Sequence, residues 1–128
     1  MMTRAQIKAF VKGSLGCTCP DDVFDVVDDV GDVEIASGLS LLHKITVGNR
    51  LLIYVYEADS IGNLKEHVPI LVRHGNEEKT RRGYNRFRLV LLSDAIGAVR
   101  PIAKPLFESA NDQENTHLHI IDRGEFFR

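Results

Sequence analysis

The pattern that most constrains the fold is a pair of matching segments offset by 35 residues. Residues 52–58 form an apolar run that ends in Asp59-Ser60-Ile61-Gly62, and residues 87–93 form another that ends in Asp94-Ala95-Ile96-Gly97. A helical pattern follows each. Two successive strand–helix units favour strands that point the same way. The repeat therefore predicts parallel, adjacent or near-adjacent strands joined by a right-handed crossover.

Upstream the apolar period is two. Ile45 and Val47 precede Gly48-Asn49, and Leu51, Ile53 and Val55 follow, which is a hairpin signal. Strands are expected at 39–47 and 50–58, with a short one at 33–36 and a last one at 116–121. At the start, Thr3-Arg4-Ala5-Gln6 has the form of a capping box, Ile7, Phe10 and Val11 share one helix face, and Gly13 stops the helix. A turn at 14–18 leads to Pro20, placed at the first position of a second helix. Val23, Val26, Val27 and Val30 form its apolar stripe, and Gly31 ends it. Pro69, Pro101 and Pro105 must each start, kink or shorten a helix. The predicted order is α-α-β-β-α-β-α-β: an α/β (or α+β) chain with a single mixed sheet, helices packed on it, and one globular domain over 1–128.

A chain of 128 residues with 44% apolar content can bury a core without a disulfide or metal. Its apolar runs are far shorter than the roughly 20 residues that cross a bilayer. The opening Met-Met-Thr-Arg-Ala-Gln lacks an apolar signal core, and the two cysteines lie two positions apart, so a cytoplasmic, non-membrane protein is expected. Net charge is only −2, but residues 21–34 hold seven acids and no base, and residues 79–88 hold five bases and no acid. Such blocks form solvated faces that pair within the molecule or with another subunit, or a docking surface for an anion or partner.

Four places could carry chemistry. In Leu15-Gly16-Cys17-Thr18-Cys19-Pro20, Cys19 falls at the expected cap of the second helix, where partial positive charge favours thiolate, although Asp21 and Asp22 oppose it. Cys17 and Cys19 could ligate a soft metal, act as redox or nucleophilic thiols, or pack as small apolar residues. His117 and His119 alternate on a strand, so both imidazoles share a face and offer a two-point metal site. With the cysteines they would complete a zinc site, and a dimer could instead share two Cys-x-Cys pairs around zinc or an iron–sulfur cluster. Lys79, Arg81, Arg82, Tyr84 and Arg86 interleave bases with an aromatic ring, which suits phosphate contacts and base stacking, but the acidic chain as a whole argues against nucleic acid. Asp59 and Asp94 end their strands, where ligands of parallel sheets bind, and they equally suit helix caps. The isolated His43, His67 and His74 read as surface or half-buried residues.

Residues 10–27, with the motif Leu-Gly-Cys-x-Cys-Pro after a first helix, resemble a group of small prokaryotic proteins to which no activity attaches. The resemblance implies no functional residues. The leading expectation is thus a small thiol protein using Cys17 and Cys19 for metal, cluster or redox chemistry. The alternative is a binding or interaction module that holds a nucleic acid or acidic partner through 79–88, or joins copies of itself through its charged faces.

Overall fold

The computed structural model describes residues 2–16, 21–58 and 60–126. Helix α1 (Arg4–Ala9) opens on the expected capping box: Thr3 Oγ1 accepts from the Gln6 backbone N–H at 3.1 Å, and the Thr3 N–H donates to Gln6 Oε1 at 2.8 Å. Gly13 does not end this helix. One π-helical turn, Phe10–Ser14, carries it on to Leu15, and Gly16 breaks it at φ +68°.

The expected second helix is corrected. Asp21–Asp25 form one 3-10 turn, and Val27–Ala36 is strand β1, so the short strand foreseen at 33–36 is the end of a ten-residue one. Valine at a helical spacing misleads here. β-Branched Val and helix-poor Asp both weaken a helix, while a pleated strand accommodates Val readily. β1 pairs antiparallel with β2 (Leu39–Val47), which pairs antiparallel with β3 (Leu51–Glu57). The β2–β3 reversal falls where expected: Gly48 and Asn49 sit at φ +59° and +54°, in the left-handed region, the Arg50 N–H donates to the Val47 carbonyl at 3.0 Å, and Leu51 then pairs with Val47.

The repeat delivers its parallel strands. α2 (Ile61–Arg82) crosses from β3 to β4 (Arg86–Ser93), and α3 (Ile96–Ala110) crosses from β4 to β5 (Thr116–Asp122). β3, β4 and β5 are mutually parallel neighbours, with Leu51 opposite Arg86 and Arg88 opposite His117. The chain ends in a short α4 (Arg123–Phe126). Strand order across the mixed sheet equals chain order, β1-β2-β3-β4-β5. After the N-terminal helix the element order is β-β-β-α-β-α-β. Both long helices run through their prolines: Pro69 lies inside α2, and Pro101 and Pro105 lie inside α3.

Side chains alternate between two cores. Leu52, Tyr54, Tyr56, Phe87, Leu89 and Leu91 face α2 and α3, where Leu64, Val68, Leu71, Val99 and Ala103 meet them. Ile53, Val55, Val90, Leu92 and Ile121 face the other way, against Ile7, Phe10, Val11 and Leu15 of the N-terminal helix. β3 and β4 are therefore covered on both faces, which explains their unbroken apolar runs. The alternation changes phase within β2: Leu39 and Leu41 join the α2/α3 core, while Leu42, Ile45 and Val47 join the opposite one. No helix among the described residues is long and apolar enough to cross a membrane.

Candidate functional site

Arg86, Arg88, His117 and His119 come together at the β4–β5 edge of the sheet. Arg88 shares its face with Val90 and Leu92, and parallel register sets His117 directly beside it. Arg88 is half-buried, and its Nη1 donates to His119 Nε2 at 3.0 Å. An imidazole nitrogen that accepts must be unprotonated, so His119 is the neutral Nδ1–H tautomer. Burial, then the Arg88 charge and His117, hold His119 far below the usual histidine value, at about 4. Burial and the charges of Arg88 and Arg86 lower His117 as well. Burial and the Arg86 charge also lower Arg88. Among the described residues no ion pair joins a carboxylate to Arg86, Arg88, His117 or His119.

A second polar group lies between β2, β3 and α2. Tyr54 is fully buried and donates its hydroxyl to Glu78 Oε1 at 2.5 Å. That hydroxyl has one proton, so the 2.9 Å contact to His74 Nδ1 must carry a hydrogen from the imidazole. Glu78 also binds Lys44, and Arg82 reaches it at 3.4 Å. Burial alone would raise the Glu78 carboxyl. Hydrogen bonds from Lys44 and Tyr54, with the Lys44 and Arg82 charges, outweigh it and hold the group below the ordinary carboxylate value. Burial and the adjacent carboxylate push the Tyr54 phenol strongly up. One strand period on, Tyr56 Oη meets His67 Nδ1 at 2.5 Å.

A third group joins β1 to β2. The buried Asp29 carboxylate accepts from His43 Nδ1 at 2.9 Å and from the Met2 backbone N–H at 2.8 Å. A fourth sits at the carboxyl ends of the parallel strands, where Arg123 pairs with Glu57 and stands 3.5 Å from Asp94.

The four sequence-predicted sites fare differently. Cys17, Cys19 and Asp59 lie outside the described residues. Asp94 does stand at a strand's carboxyl end, but it is exposed and does not cap α3: the Ala95 N–H is bound by Ser93 Oγ. His117 and His119 share the expected face, with Arg88 occupying Nε2 of one of them. Among the described residues no group of three or more His, Cys, Asp or Glu side chains converges as metal ligands. The basic segment is divided by its own chain turn. Lys79 and Tyr84 are buried, Arg82 is drawn back to Glu78 and over the Tyr84 ring, Gly83 closes α2 at φ +73°, and Arg86 starts β4. Buried Tyr84 offers no open ring for stacking. His43, His67 and His74 are half-buried, as expected, and each has a fixed partner.

Arg88 was missed because its neighbours in space come from a strand about thirty residues later. The tyrosine pair could have been read: Tyr54 and Tyr56 share a strand face, and His67, His74 and Glu78 share a helix face at spacings of seven and four. No protein-family model, no curated protein and no solved structure matches this chain.

Proposed function

We propose that this protein is a binding module for phosphate-bearing ligands, with Arg86, Arg88, His117 and His119 as its contact surface. The observation that carries the reading is the half-buried Arg88, whose bonded neighbour is a neutral imidazole and whose charge is opposed by that of Arg86. Keeping a guanidinium away from water without a carboxylate is costly. An anionic oxygen pair, which a guanidinium grips in bidentate fashion, would offset that cost. Among the described residues no Phe or Tyr ring is exposed, which favours phosphate over base contacts. The reading keeps one part of the basic segment, Arg86, and adds partners from β4 and β5.

The test uses two probes, inorganic pyrophosphate and a short duplex oligonucleotide, titrated at low salt by calorimetry. A free-phosphate site binds the first saturably, and a backbone-binding surface prefers the second. In either case Arg86→Gln with Arg88→Gln abolishes or sharply weakens binding. For the duplex, this double change lowers the slope of log affinity against log salt by about two. Absence of saturable binding to both probes at low salt would overturn the proposal.

A further inference from the structure

We infer that the two edges of the sheet are made for each other: β1 of one copy docks beside β5 of the next, extending the sheet from molecule to molecule. This inference does not rest on the phosphate reading, although His117 of that surface also lines the groove used here.

Both edge strands are open on one side among the described residues, since β1 pairs only with β2 and β5 only with β4. Their directions fit. β1 is antiparallel to β2, and β2 to β3, so β1 runs the same way as β3, β4 and β5. A second copy shifted along the sheet therefore presents β1 parallel to β5, with the same face uppermost. On that face Val30, opposite Lys44 in register, is 47% exposed, and Asp28 stands two residues before it. On the matching face of β5 runs a groove of about 290 Å³ between the strand and α3, lined by Phe107, His117, Leu118 and Ile120 with two cations, Arg100 and Lys104, and one acid, Glu108. Val30 would enter the apolar floor, and Asp28 would meet the two cations.

Charge also selects against the symmetric alternatives. Two β1 edges brought together would set Asp28, Asp32 and Glu34 against the same acids, and two β5 edges would set Arg100 and Lys104 against the same cations, with Glu108 the one acid in the groove lining. The heterologous pairing sets the run of β1 acids against Arg100 and Lys104, and such a contact repeats until it closes a ring or runs on as a filament. The irregular part of β1 is confined to its second half, where Asp32 takes φ +51° and the register shifts between Glu34 and Ala36. Residues 27–31 remain regular and able to pair. Strand addition of this kind draws affinity from main-chain hydrogen bonds and register from alternate side chains.

The experiment is sedimentation velocity of the full chain across a concentration series, with two charge-reversed variants. One carries Asp28→Lys and Glu34→Lys, and the other Arg100→Glu and Lys104→Glu. Wild type should assemble beyond the dimer at low salt and dissociate near 1 M salt, where the screening length is about 3 Å. Each variant alone should remain monomeric. Mixed, they should assemble beyond the dimer again, because the unchanged β5 edge of one meets the unchanged β1 edge of the other, and the two reversed edges now set base on β1 against acid on β5. That rescue also shows that both variants are folded. A wild type that is monomeric at every concentration in low salt, assembly that survives in either variant, or failure of the mixture to pair would each overturn the inference. Arg86 and Arg88 are intact in both variants, so phosphate binding reads out separately.

Discussion

Gly75 of α2 lies directly against the ring of Phe87 on β4. A Cβ built on the glycine would stand 2.1 Å from Phe87 Cζ and 2.2 Å from Cε2. The buried glycine therefore sets how closely the helix approaches the sheet. Gly75→Ala should lower stability by about 1–3 kcal/mol even though alanine favours helix, because overpacking outweighs propensity. Denaturant melts would show it. Phe87→Leu in the same background should recover part of the loss, and full wild-type stability in Gly75→Ala alone would refute the packing argument.

The Tyr54–Glu78–Lys44 group makes a different kind of prediction. Tyr54→Phe keeps the ring and removes the hydroxyl that serves both Glu78 and His74. The expected cost is about 1–2 kcal/mol, as for a buried carboxylate deprived of one donor. Glu78→Gln should cost about 1–3 kcal/mol at neutral pH, since Lys44 and Arg82 lose their counter-charge.

Glu78 also sets a pH dependence. Its folded pKa is below the ordinary carboxylate value, so the unfolded chain takes up its proton first as pH falls. The stabilisation is complete above the unfolded value of 4.5 and is lost as pH drops through the lower folded value. Stability measured between pH 5 and pH 3, by about one unit per step, should fall less steeply in Glu78→Gln than in wild type.

His119 acts in a higher window. Folded it titrates at about 4 against 6.5 unfolded. Between these values the unfolded chain holds the extra proton, so stability declines as pH falls from 6.5 toward 4. The half-buried position limits the total to about 1–3 kcal/mol. His119→Gln should flatten the decline over this range. Proton NMR of the imidazole gives the pKa directly, and saturating pyrophosphate should raise it if the anion sits against Arg88.

The sheet was largely legible in the sequence, and the parts that were not have physical reasons. The Asp-x-Ile-Gly repeat and Gly48-Asn49 are local signals with one good geometric solution each, and they correctly fixed the parallel and antiparallel pairings around β3. The stretch 23–30 has no such uniqueness. Its valines match helix spacing, and only the partner strand β2, with Asp29 held by His43 and Met2, decides for the extended form. The candidate site was harder to read. Arg88 looks like part of a solvated basic run until register sets His117 beside it, Lys79 looks exposed until the packing of α2 buries it, and Tyr84 looks exposed though it is buried just after the left-handed turn at Gly83. Side-chain pairs within one element were recoverable, whereas those made by strand alignment were not.

The strand order has a bearing on how the chain is made. Because each strand lies beside its predecessor, the sheet has a natural direction of growth during synthesis. The β1–β3 meander closes through two short turns, so its loop-closure cost falls due early and is small. Each later crossover, α2 with β4 and then α3 with β5, adds one strand to an edge that already exists. No early strand waits for a later one to be inserted beside it, and the apolar β3 has its next neighbour arriving in chain order. A ribosome releasing this chain from its first residue to its last exposes the edges in the same order in which they are covered.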